Sequence, residues 1–238
     1  MDNKILIIQN ISHEGPGLLL DILLAHEIGY DIIDLSKGEI FPSPNAYRAL
    51  IVFGGSDSAN DSSDKIIGEL QKIEQILEDK IPYLGICLGF QMLAKASGGA
   101  VITCPKKEIG LKSPDGKMYE VRMIDKAKND PIFSQQDKTF HVFQLHDESI
   151  EVTKGIQVLA VGNECKNQFI KVGEKAYGIQ GHLELTPKML KSWLKNDADL
   201  TKLNQQQLLD DFTSQFGEYR RHGLLLFSNF LRLAGVIT

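Results

Sequence analysis

No apolar run in these 238 residues approaches the roughly 18 needed to span a bilayer, so a membrane-spanning helix is not expected. Positive charge is not in excess either: 26 Lys and Arg stand against 31 Asp and Glu, a formal net charge of -5. Neutralising phosphates takes a basic surface, which argues against a nucleic-acid binder. Cysteine is scarce, and three cysteines at wide spacing do not make a disulfide framework. The opening stretch "MDNKILIIQN" carries Asp2 and runs straight into strand-like residues, unlike a signal peptide. A reducing cytoplasm is the setting these features suggest. Repeats, low-complexity segments and long linkers are also lacking.

What is present is an ordinary globular balance, 42% hydrophobic and 24% charged, in a chain long enough to bury a core. Strand-like runs at Lys4–Asn10, Tyr30–Ser36, Ala49–Gly55 and within "IPYLGI" alternate with helix-like runs at Gly17–Gly29, around Ile66–Leu77, and in "LGFQMLAKASGG". That alternation implies a parallel sheet covered on both faces. Beyond Ala100 short strands dominate: "VITC", "MYEVRMI", "TFHVF", "IQVLAVGN", and a hairpin turning at Gly173-Glu174. Thr186-Pro187 then reads as a helix start, a capping hydroxyl followed by proline at the first helical position. Leu200, Leu203, Leu208, Phe212 and Phe216 form one apolar face of a helical tail.

The chemistry begins at "GICLG". Gly85 and Gly89 flank Cys87 in a G-x-nucleophile-x-G elbow, with cysteine in the place of serine. Such a strand-to-helix turn holds the nucleophile in a strained conformation, and glycines clear the β-carbons that would collide in it. A helix N-terminus also favours thiolate over thiol. Free cysteine is often a buried filler, however, so the motif alone fits both readings. A thiol nucleophile needs a base. Of six histidines, His26 and His222 fall in helical stretches and read as surface or interface residues, while His13 lies in a loop. His182 closes a strand-like run, with Glu184 two places on and therefore on the same face. A carboxylate so placed fixes the imidazole tautomer and leaves the other nitrogen for a thiol. His141, His146, Cys104 and Cys165 lack metal-ligand spacing, and "HEGPG" is too short for a dinucleotide fingerprint. No metal or cofactor is expected.

Taken together, "GICLGFQ", "GIQGHLELTP", "VFGGSDSAND" and "VFQLHDES" resemble, in order and spacing, four segments of the class I (triad-type) glutamine amidotransferase family. The likeness spans about residues 4–190 and is closest to the stand-alone, GMP-synthase-like branch. It implies a mostly parallel central sheet flanked by helices, with a small β-rich portion. Residues 1–190 would form the amidotransferase domain, and 191–238 a helical extension packed on it. It also implies that Cys87 attacks the amide carbon of a glutamine side chain, with His182 moving the proton and Glu184 orienting His182. The backbone N–H groups of Gly55 and Leu88 would form the oxyanion hole. Gly54, Gln91, Gln144, Leu145 and His146 would surround the substrate.

The sequence departs from the family at Gly181 and Leu183, where an aromatic and a proline are usual, and at Ser56-Asp57 in the Gly-Gly loop. The first two substitutions are expected to loosen His182. With no ATP-pyrophosphatase segment in the sequence, ammonia would pass to a separate synthase subunit, or the chain would act as a free-standing γ-glutamyl hydrolase or peptidase. A weakly catalytic regulatory module on the same fold is the remaining alternative.

Overall fold

The computed structural model describes residues 4–238; the opening residues 1–3, Asp2 among them, lie outside it. In chain order the elements are β1 (Ile5–Gln9), α1 (Leu18–Ala25), β2 (Tyr30–Asp34), β3 (Ala49–Val52), α2 (Asp64–Glu78), β4 (Tyr83–Ile86) and α3 (Leu88–Ala96). Then follow β5 (Ala100–Gly110), β6 (Glu120–Met123), β7 (Thr139–His141), β8 (Gln144–Glu151), β9 (Ile156–Val161), β10 (Asn167–Val172) and β11 (Ala176–Ile179). Helices α4 (Pro187–Asn196) and α5 (Gln205–Leu233) complete the chain.

Nine strands form one sheet in the order β2-β1-β3-β4-β11-β10-β9-β6-β7, and β5 and β8 pair separately. The first five of the nine are parallel, and the ladder turns antiparallel from β11 outward. Buried apolar runs explain the parallel half: Ile5–Ile8 and Ala49–Val52 are fully enclosed, as strands covered by helices on both faces must be. Parallel strands end on the same side, so the loops after β1, β3, β4 and β11 gather at one edge of the sheet. That edge is where open α/β sheets place ligands.

Most expected elements form, including the hairpin at Gly173 and the helix start, where Thr186 Oγ1 accepts from the N–H of Met189 at 3.2 Å. Three expectations are corrected. Leu203 is not on the apolar face: it follows a short 3-10 turn and is exposed, while Leu208 and Phe212 of α5 are buried. His222 is not a surface residue: it is fully buried, stacked on Phe140, with Gln136 against Nδ1. Cys104 and Cys165 are joined as a disulfide, their Cα atoms 6.0 Å apart. A register shift in the β5–β8 ladder after Thr103 and the turn between β9 and β10 bring these two together across 61 residues. No spacing rule reveals such a meeting.

Candidate active site

Cys87 stands between β4 and α3 with φ 51° and ψ -105°, a conformation that a non-glycine residue adopts only when its surroundings force it. The force is visible on both sides. A β-carbon on Gly85 would lie 2.3 Å from the carbonyl oxygen of Gly89, and one on Gly89 would lie 2.4 Å from that of Val52. The Cys87 N–H continues the ladder to the Ile179 carbonyl at 2.9 Å, so the turn is pinned to β11 as well. Sγ points toward the Leu145 carbonyl at 3.8 Å, with the Gln180 amide also 3.8 Å away.

His182 is held by its backbone and by its ring. It exchanges both main-chain hydrogen bonds with Phe143, at 2.8 and 3.1 Å, and its carbonyl accepts from the Tyr219 hydroxyl at 3.1 Å. Nδ1 meets Glu184 Oε1 at 2.5 Å, and the edge of Trp193 closes on the ring at 4.9 Å between centroids. Nε2 is buried and takes no hydrogen bond among the described residues, which leaves it for the thiol side. The departures from the family pattern do not loosen this histidine. A β-carbon on Gly181 would come within 2.6 Å of Val142, so no aromatic fits there. Leu183 uses its N–H, which a proline lacks, to donate to Glu184 Oε2 at 2.9 Å.

The electrostatics bind the three groups together. Burial pushes the Cys87 thiol up, and the neighbouring His182 opposes that shift. Burial is the largest single influence on His182 and works against protonation, yet the Glu184 charge and hydrogen bond, together with Cys87, outweigh it and carry the imidazole well above its usual range. The pair thus holds a proton that must leave before the thiol can react.

A cleft of about 640 Å³ opens over Cys87. Of the other predicted residues, Gly55, Gln91, Leu145 and His146 line it, while Gly54, Leu88, His182 and Glu184 lie behind its wall. Among the described residues, no backbone acceptor outside a helix or strand is recorded for the N–H groups of Gly55 or Leu88. Gln91 is tied by its amide to the Glu148 carbonyl at 3.2 Å and to Gln180 Oε1 at 3.4 Å. The Gln144 side chain donates to Gln168 at 3.0 Å and touches His146 Nε2 through its oxygen. The small polar residues of the Gly-Gly loop also have a local reason: Asp57 pairs with Lys65 at 2.6 Å, and the Ser58 hydroxyl donates to Glu148 at 2.9 Å.

Two further residues at this site, Glu14 and Tyr219, are not marked by the motifs. Glu14, in the loop after β1, is buried with Oε2 unpaired, and its carboxyl is pushed up to about 7 by burial. Tyr219 joins it from α5, and Gln180, inside the "GIQGHLELTP" segment, sets its amide 3.8 Å from Cys87 Sγ. The glycine-rich "HEGPG" run is the one local pointer to Glu14. The metal question also changes: Cys104, Cys165 and His146 offer atoms within 4.8 Å of one another, but the two sulfurs are bonded to each other and His141 pairs instead with Glu120.

No helix among the described residues is long and apolar enough to cross a membrane. The glutamine amidotransferase-like protein YfeJ of Salmonella typhimurium is 28% identical over 208 residues, 84% of this chain and 80% of its own length. One subunit of the glutamine-hydrolysing GMP synthase of Methanococcus aeolicus is 31% identical, over 65% of this chain and 71% of its own. The matched part covers only 34% of the GMP synthase of Thermosipho africanus, which is 29% identical over 72% of this chain. Among solved structures, a glutamine amidotransferase from Thermotoga maritima superposes with a TM-score of 0.84 at 27% identity, covering 98% of this chain and 99% of its own. The family model for "Glutamine amidotransferase class-I" matches residues 28–201, most of the sheet and all of the Cys87, His182 and Glu184 constellation. On that match the chain belongs to the class I glutamine amidotransferase family.

Proposed function

We propose that the chain hydrolyses γ-glutamyl amides through a thioester on Cys87. The observation that carries this reading is the strained Cys87 placed beside His182, whose tautomer Glu184 fixes at 2.5 Å. His182 Nε2 takes the thiol proton as Sγ bonds to the amide carbon, and the oxyanion falls to the N–H groups of Gly55 and Leu88. The C–N bond then breaks as the same proton passes to the leaving nitrogen, and water later cleaves the thioester. Gln91, Leu145 and His146 line the space for the glutamyl end. In the amidotransferase form of this reaction the leaving group is ammonia, passed to a separate synthase subunit. In the free-standing form it is released to solvent, in the cytoplasm.

The test is release of glutamate and amine from glutamine and from γ-glutamyl amides by the isolated chain. Cys87→Ala should lower kcat by about 10⁴-fold or more, the scale seen when a nucleophile is removed. Substantial turnover in that variant would sink the proposal. Trapping of a γ-glutamyl adduct on Cys87 by mass spectrometry would show the thioester directly.

A further inference from the structure

The charge of the cleft is as distinctive as its nucleophile. Six carboxyl-bearing residues line it, Glu14, Asp57, Asp147, Glu148, Asp197 and Asp199, against the single cation Lys107. Lys107 is engaged by Asp147 and Asp199, Lys202 also pairs with Asp199, and Lys65 pairs with Asp57, so the negative charge left without a cationic partner is that of Glu148 and Asp197, with Glu14, pushed up to about 7, adding to it as it ionises. A γ-glutamyl group brings one ammonium and one carboxylate and cancels none of this. The uncompensated charge therefore falls to whatever is attached to the scissile nitrogen.

Glu14 points the same way from inside the site. It is 7% exposed, and its Oε2 has no hydrogen-bond partner among the described residues. A β-carbon placed on Gly54 would lie 2.3 Å from that oxygen, 3.2 Å from His182 Cε1 and 3.3 Å from Cys87 Cβ. The carboxyl, the imidazole and the nucleophile thus converge on one glycine. An unpaired buried acceptor at a reacting centre calls for a donor, and the N–H of a scissile amide or departing amine is that donor.

Resting on the γ-glutamyl hydrolase reading, we propose that the amine released here is cationic: the cleft takes γ-glutamyl amides of diamines and related amines, with Glu14 accepting from the nitrogen that leaves. The acidic walls draw the second ammonium into the cleft, and the polar Ser56-Asp57 segment forms part of them.

Three substrates of nearly equal length test this: γ-glutamyl-1,4-diaminobutane (cationic), γ-glutamyl-butylamide (neutral) and γ-glutamyl-4-aminobutyrate (anionic). The expected order of kcat/KM is cationic, neutral, anionic, with about tenfold or more between the extremes at low ionic strength, shrinking as salt screens the cleft. Asp197→Asn retains an acceptor for the N–H groups of Asp199 and Leu200, and it should compress the ratio several-fold. Glu14→Gln should lower turnover of the cationic substrate more than that of the anionic one. Equal rates for the three, or preference for the anionic compound, overturn the proposal and leave the hydrolase reading intact. A cationic preference that neither variant alters overturns its assignment to these carboxyls. Failure to cleave any of the three, or glutamine, overturns both readings together.

Discussion

Cys87 and His182 face each other across the site, yet the chain fixes them by opposite means. Cys87 is placed by main chain: a left-handed φ, two glycines with no room for a methyl group, and a ladder bond to Ile179. Its placement draws only on neighbours in sequence and on the strands beside β4. His182 is placed by remote groups: Phe143 across an isolated bridge, Trp193 from α4, Tyr219 from α5, and Glu184. A backbone device tolerates no substitution but asks little of distant residues. A packing device spreads the work over several contacts, so each single loss should cost less. The Cys87 wall is therefore brittle and the His182 wall redundant.

Substitutions on the two walls sharpen that contrast. Gly85→Ala drives a methyl group into the Gly89 carbonyl, and neither backbone can yield without breaking β4 or α3. Loss of the folded protein, or more than about 4 kcal/mol of stability by urea titration, is expected. Normal stability would show that the turn is far softer than its geometry implies. On the other wall, Glu184→Gln should fold but lower kcat by roughly 10² to 10⁴-fold, the scale on which an imidazole loses its orienting carboxylate. It should also shift the acid limb of the pH profile. Glu184 holds the His182 pKa well above its usual 6.5, so that limb lies above pH 6.5 in the parent and moves down in the variant. An unmoved limb would assign the pKa to another group.

Beneath the Gly-Gly loop, Glu69 is buried, accepts from the Asn10 amide at 2.9 Å, and has its carboxyl pushed up to about 7 by burial. A carboxyl raised on folding favours the native state only while protonated. Its stabilising effect is complete below about 4.5 and is lost as pH climbs to about 7, by about 3 kcal/mol in all. Glu69→Gln should therefore stabilise the protein at pH 8 by up to that amount and very little below pH 4.5. Chemical denaturation at both ends of this range reads the difference. The smallest effect belongs to Tyr219→Phe, which removes one hydroxyl bridging the His182 carbonyl and the Leu185 N–H. A loss of about 1 to 2 kcal/mol in stability and a modest fall in kcat are expected.

The same contrast governs what could be read without coordinates. The cysteine wall is local, so "GICLGFQ" carries the strand, the turn and the helix within one short window. H-x-E carries the ring partner of His182, again a neighbour in sequence. Phe143, Trp193 and Tyr219 act from strands and helices whose meeting depends on the closed fold, and no period in the sequence marks them. The same is true of Cys104 and Cys165, and of the bond from Gln144, on the segment resembling the family's substrate loop, to Gln168. Glu14 was hidden for another reason: a carboxylate in a glycine-rich loop looks solvated until the loop is seen folded against Gly54 and His182.

The Tyr219 contact also has a consequence in time. Synthesis proceeds from the N-terminus, and strands β1 to β4 with the Cys87 turn come off the ribosome well before α5. The turn around Cys87 is complete only once β11 supplies the Ile179 carbonyl, and His182 is clamped by Tyr219 later still, after α5 has docked. Each newly made chain therefore passes through a stage in which Cys87 is held while His182 is not yet locked, and the site is whole only when α5 has docked.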